Sequence, residues 1–167
     1  MSIEDLNMLH EAGLKEKLQQ CCGSSRWIYS MVQSRPFQHA NDLLAKADLA
    51  WSDTSEKDWL EAFSHHPKIG DLKSIETKFA STKSFAKDEQ GSVTTAMQEV
   101  LKQLAQGNAL YEKKFGFIFI VCATGKSAEE MLHLLNDRLS NDRDAELKIA
   151  AAEQLKITKL RLQKLIS

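Results

Sequence analysis

"FGFIFIVCA", residues Phe115 to Ala123, is the longest apolar run in the chain, and its reading decides the fold. Its aromatic and β-branched residues suit a strand. A lone strand, however, leaves its backbone N–H and C=O groups without a ladder. No second segment of the 167 residues has convincing strand character. The expected fold class is therefore all-α: a single-domain helical bundle over residues 1–167, with this run as a buried helical or extended piece. The run is also far shorter than the roughly 20 apolar residues that a membrane-spanning helix needs.

Immediately upstream lies the clearest helical pattern. Met97, Leu101, Leu104, Asn108, Tyr111 and Phe115 recur at three- and four-residue steps, which predicts a helix from about Thr94 to Lys114. Asn108 interrupts that stripe and should hydrogen-bond a buried group. Downstream, "SAEE" (Ser127 to Glu130) is a capping box that opens a helix through Met131, Leu132, Leu135 and Leu139. A last helix is expected from about Asp142 to Leu165.

The N-terminal half reads the same way. Leu6, Leu9, Leu14 and Leu18 mark one helical unit, with Gly13 as its break and Gly23 as its end. Ser24 or Ser25 can cap the short segment that stops before Pro36. Leu43, Leu44, Ala47 and Trp51 mark the next helix. Ser55 with Asp58 starts another, whose apolar face is Trp59, Leu60 and Phe63.

Between the halves the texture changes. Residues Pro67 to Ser92 are charged and hydroxylated, with Pro67, Gly70 and Gly91 as punctuation. Connections this long in compact domains are usually functional or disordered.

Composition narrows the function classes. The 22 basic and 23 acidic side chains are well mixed, without the basic stripe of a nucleic-acid binder. Cys21, Cys22 and Cys122 are odd in number and lack Cys-x-x-Cys spacing, so neither a disulfide framework nor a zinc site is expected. "MSIEDLNMLH" has no signal-peptide pattern and "KLIS" is no peroxisomal address, so a cytoplasmic protein without membrane attachment is expected.

Three places can carry chemistry. In "SHHPKIGD" (Ser64 to Asp71) a His-His pair ends a helix before Pro67. The pair suits the carbonyl end of a helix, where cations are favoured. On residue types alone that is the leading reading; the alternative is acid/base work, because histidine titrates near neutrality and a rigid turn aims its ring. Glu61 and His65 share a helix face, but one histidine on that face is a poor metal site. "DEQG" (Asp88 to Gly91) sets a carboxylate beside an amide, able to grip a polar ligand or simply to form a solvated turn. Arg161 leaves an apolar stripe with Ile157 and Leu165, either as a snorkelling side chain or as a clamp for a carboxylate or ureido group. "ATGKS" (Ala123 to Ser127) imitates the end of a P-loop, but Ile120 stands where the first glycine must be.

Taken together, "HHPKIGD", "DEQGSV", "GNALYEKKFGFIFIVCATGKSAEEML" and "RLSNDRDAELKIAAAEQLKITKLRLQKL" resemble one family: the 2-oxo-4-hydroxy-4-carboxy-5-ureidoimidazoline (OHCU) decarboxylases of purine breakdown. The spacing of Asn108, Tyr111, Phe115 and Gly116 is the specific part. The resemblance implies an all-α fold, no cofactor and no metal. It also implies a small-molecule substrate, OHCU, converted to (S)-allantoin and CO2, and it leans toward a homodimer. By the family pattern His66 is the catalytic histidine, followed by Pro67. Glu89 is catalytic and Gln90 binds substrate beside it. Phe119, Ile120, Val121, Cys122 and Ala123 line the site by their backbone, and Arg161 contacts the substrate. One departure shows: Ala86 stands where many members have serine, and Ser84 is out of register.

Overall fold

The structure, a computed structural model, describes residues 1–67 and 91–167. Among them are eight helices and no strand: α1 Ile3–Met8, α2 Glu11–Cys21, α3 Ser25–Gln33, α4 Ala40–Ser52, α5 Glu56–Ser64, α6 Gly91–Phe115, α7 Ala128–Leu139 and α8 Arg143–Leu165. The all-α expectation holds. The deciding run is neither helix nor strand: after Gly116, at φ 82°, residues 117–123 follow an irregular path in which Phe117 and Ile120 are buried.

Most helix starts follow from capping. Ser24, not Ser25, caps α3 by accepting from the Trp27 amide, and Ser127 caps α7 by accepting from the Glu130 amide at 3.1 Å. Asp58 accepts from the Ser55 amide at 3.0 Å at the head of α5. The expected break at Gly13 is misplaced. The chain turns at Leu9 and His10, and the His10 ring caps α2 by accepting from the Gly13 amide at 2.9 Å. Gly13 thus lies in the first turn of α2, where an added Cβ would stand 2.9 Å from that ring. Asn108 bonds within its own helix, Nδ2 donating to the Leu104 carbonyl at 2.8 Å.

Two compact units divide the chain: Met1–His66 with Ile120–Cys122 and Leu147–Ser167, and Pro67–Phe119 with Ala123–Glu146. In the first, α3 packs on α2, α4 and α5. Its core holds Leu6, Leu14, Leu18, Trp27, Met31 and Phe63, each at most 1% exposed. Two of its tryptophans satisfy their indole N–H groups on helix carbonyls, Trp27 on Ala47 at 3.2 Å and Trp51 on Ala151 at 3.1 Å. Trp59 donates to the Thr54 hydroxyl at 2.9 Å. Asn7 and Phe37 exchange two hydrogen bonds of 2.8 Å, which pins α1 to the segment before α4.

In the second unit α6 packs on α7. Gly107 permits the close approach, since a Cβ there would stand 2.6 Å from Leu135 Cδ2. Tyr111, Phe115, Phe117 and Phe119 form an aromatic cluster with centroid spacings of 4.6–6.0 Å around Tyr111 and Phe115. Beside it lies a buried polar knot. Glu146, fully buried, accepts from the Tyr111 hydroxyl, from Arg138 Nε at 2.6 Å and from Asn141 Nδ2 at 3.0 Å. Burial first, and then the bond to Glu146, pushes the Tyr111 hydroxyl well above the usual tyrosine range.

Candidate active site

Helix α5 ends at Ser64, and the next two residues continue the turn: the His65 amide donates to Ala62 O at 3.2 Å and the His66 amide to Phe63 O at 3.1 Å. Pro67 has no N–H to extend the series and is exposed. Adjacent side chains at a helix end diverge by about 100°, and the two rings part accordingly. His65 is exposed and lies over Gly23; a Cβ at Gly23 would stand 2.4 Å from its Cγ. His66 is half-buried and turns to α8, where its Nε2 lies 2.5 Å from Gln154 Oε1.

A cavity of about 390 Å³ opens at this end of the first unit, lined by Gln19, Gln20, Gly23, His65, His66 and Arg161 among others. Its size suits a small polar molecule. Arg161 is half-buried, and its Nη1 donates to the Cys21 carbonyl at 3.4 Å, the last residue of α2. A guanidinium at a helix C-terminus meets carbonyls that the helix itself leaves unsatisfied. This is not the solvent-seeking head of a snorkelling side chain. Burial pushes the Cys21 and Cys22 thiols up to about 11, so both are neutral S–H groups at physiological pH despite the nearby Arg161.

Glu61, weighed above as a metal ligand with His65, accepts instead from the Ser25 amide at 2.6 Å and the Ser25 hydroxyl at 2.8 Å. No group of three His, Cys, Asp or Glu side chains able to hold a metal occurs among the described residues. No helix among them is long and apolar enough to cross a membrane.

The five-residue backbone stretch divides. Ile120, Val121 and Cys122 belong to the first unit, where the Cys122 amide donates to Glu153 Oε1 at 3.1 Å. Phe119 and Ala123 belong to the second. There the Phe119 ring meets Tyr111 at 5.2 Å and the Arg138 guanidinium at 4.6 Å, and the Ala123 carbonyl accepts from the Lys126 amide at 3.0 Å. Glu89, Gln90 and the rest of "DEQ", with Ser84 and Ala86, lie outside the described residues.

Sequence reasoning missed Gly23, Gln154 and Thr158. Gln154, Thr158 and Arg161 fall four and three residues apart, hence on one face of α8. Polar residues that interrupt a buried helical stripe were the available signal; both Gln154 and Thr158 are 1% exposed.

In this all-helical fold, one cavity brings a histidine at a His-Pro helix end together with an arginine from the last helix. The comparisons give the family: residues 7–163 match the OHCU decarboxylase family, and the chain belongs to it. The chain is 42% identical over 147 residues to the uric acid degradation bifunctional protein TTL of Arabidopsis thaliana, covering 88% of this chain and 45% of that one. It is 23% identical to the OHCU decarboxylase of Haloferax volcanii, covering 97% of this chain and 94% of that one. A crystal structure of OHCU decarboxylase in the presence of (S)-allantoin superposes with a TM-score of 0.71 at 41% identity, covering 90% of this chain and 97% of the other. The chain thus spans less than half the length of the Arabidopsis bifunctional relative.

Proposed function

We propose that the chain is a carboxy-lyase that decarboxylates OHCU to (S)-allantoin and CO2 in urate degradation. The observation that carries the reading is that His66 and Arg161, distant in sequence, line one small-molecule-sized cavity. Family membership supports it. The same reading makes residues 1–167 one catalytic domain, cytoplasmic, without nucleic-acid or membrane partners, and homodimeric by its family resemblance.

Loss of CO2 leaves an electron pair that must be held until a proton arrives. In OHCU the carboxylate-bearing carbon adjoins the ring C=N unit, so the electrons flow into that imine and give an enol-like intermediate. The substrate is its own electron sink, and the reaction is cofactor-independent. The protein's tasks are positioning, charge control and delivery of the proton to one face. His66 hydrogen-bonds the substrate hydroxyl and manages the proton transfers. Glu89 and Gln90 grip the ureido or ring amide groups, and Pro67, directly after His66, contacts the substrate. Arg161 holds an oxygen-rich edge of the substrate, and the backbone of Phe119, Ile120, Val121, Cys122 and Ala123 lines the ring. The Cys122 amide must exchange its Glu153 acceptor for a ring carbonyl to do so.

The test is circular dichroism of freshly generated OHCU with the protein and with His66→Ala. Rapid formation of (S)-allantoin with wild type alone is the expected result. Slow racemic decay in both would replace the enzyme with a helical module that binds ureides without turnover.

A further inference from the structure

Gln154 is 1% exposed, and both ends of its side-chain amide are engaged. Its Nε2 donates to Thr158 Oγ1 at 3.1 Å. The Thr158 hydroxyl proton is already directed to the Gln154 main-chain carbonyl at 2.9 Å. With that proton committed, Thr158 Oγ1 faces the amide as an acceptor, and only the NH2 end of Gln154 satisfies it. The amide is therefore fixed with Oε1 toward His66, 2.5 Å from Nε2. A carbonyl oxygen cannot donate, so Nε2 must carry the hydrogen.

We infer that Gln154 and Thr158 are positioning residues that lock neutral His66 as its Nε2–H tautomer, making Nδ1 the ring's one basic nitrogen. The inference rests on the proposed role of His66 for its catalytic meaning, though not for its geometry. A histidine that is to accept the substrate's hydroxyl proton needs a lone pair on a defined nitrogen, and the wrong tautomer presents an N–H there instead. Thr158 achieves this through the Gln154 amide.

The experiment is ¹⁵N NMR of the histidine rings at alkaline pH, with His66 assigned by its loss in His66→Asn, on wild type, Thr158→Val, Thr158→Ser and Gln154→Leu. Wild type and Thr158→Ser are expected to show the Nε2–H tautomer. Thr158→Val, nearly isosteric but without the acceptor, should give a tautomer mixture. Its kcat should fall about tenfold or more, the scale of acid/base positioning, with KM little changed. An Nδ1–H ring in wild type, or unchanged tautomers in both Thr158→Val and Gln154→Leu, would overturn the inference. An Nδ1–H ring in wild type overturns the inference even if a variant fails to fold. Full turnover by His66→Asn would sink the catalytic reading alone, since the ring shifts are measured independently of activity.

Discussion

The ring of His65 lies so close over Gly23 that an added Cβ would stand 2.4 Å from its Cγ and 2.7 Å from its Cβ. The second distance matters more, because rotating the ring cannot relieve it. The glycine is required here by proximity, not by an unusual backbone angle. Gly23→Ala must push the end of α5 away from the end of α2, moving the neighbouring His66 with it. Overpacking of this kind costs about 1–3 kcal/mol, and small displacements of reacting groups can cost about 100-fold in rate. Gly23→Ala is expected to lower the melting temperature and to reduce kcat/KM by at least tenfold, on the order of that displacement effect. The double variant Gly23→Ala/His65→Gly, which removes the struck Cβ, should recover both. A single Gly23→Ala variant with wild-type kinetics would show that the two helix ends separate without disturbing the site.

Arg161 offers a different signature. Its Nη1 meets the Cys21 carbonyl at 3.4 Å while the side chain lines the cavity. Arg161→Lys keeps the charge but loses the planar fork. The expected outcome in steady-state kinetics is a KM raised by roughly tenfold with a smaller change in kcat, as for lost substrate binding. Arg161→Gln should be worse. Equal kinetics for Lys and Arg would reduce the residue to a helix-end cation.

The polar knot of the second unit is testable by stability alone. Tyr111→Phe removes one hydrogen bond to Glu146 and should cost about 1–3 kcal/mol in urea unfolding. Glu146→Ala removes the charge that offsets the Arg138 guanidinium, 8% exposed at its side chain, and should cost about 3–5 kcal/mol. The ordering is the test: a Tyr111→Phe penalty larger than that of Glu146→Ala would mean that the hydroxyl, not the ion pair, holds the knot together.

The thiols give a pH dependence. Cys21 and Cys22 are buried, while Cys122 is half-exposed. Burial raises the first two from the ordinary 9.0 to about 11. A raised folded pKa means that the folded state holds the proton more tightly. The associated stability is complete below 9.0 and falls away as pH rises toward 11. A disulfide-exchange reagent at pH 8 should titrate one thiol quickly and all three only in denaturant. Unfolding free energy should decline between pH 9 and 11 and flatten in Cys21→Ala/Cys22→Ala. Three fast thiols in the native protein would contradict this.

The all-helical fold was legible because its apolar spacing and hydroxyl caps are local signals. Ser127 and Ser24 cap where composition puts them. The break at Gly13 was misjudged because histidine is an uncommon cap, and the His10 ring supplied the acceptor that serine usually supplies. The path of residues 117–123 was not legible, because its direction depends on partners such as Glu153, far along the chain. The site was half legible. His66 and Arg161 were visible as residue types in a recognisable pattern, and they meet at one cavity. Gln154, Thr158 and Gly23 matter through distances to other elements, which no spacing in the sequence encodes.

The tryptophans have one more consequence. Trp27, Trp51 and Trp59 are the chain's three, and all lie in the Met1–His66 part of the first unit. The second unit has Tyr111 as its chromophore, with its hydroxyl given to Glu146. Indole emission is therefore a private optical channel for the unit that holds the cavity. Far-ultraviolet ellipticity, by contrast, sums the helices of both. Following one sample through denaturant by the two signals reads whether the halves lose structure in a single step, without a label or a mutation.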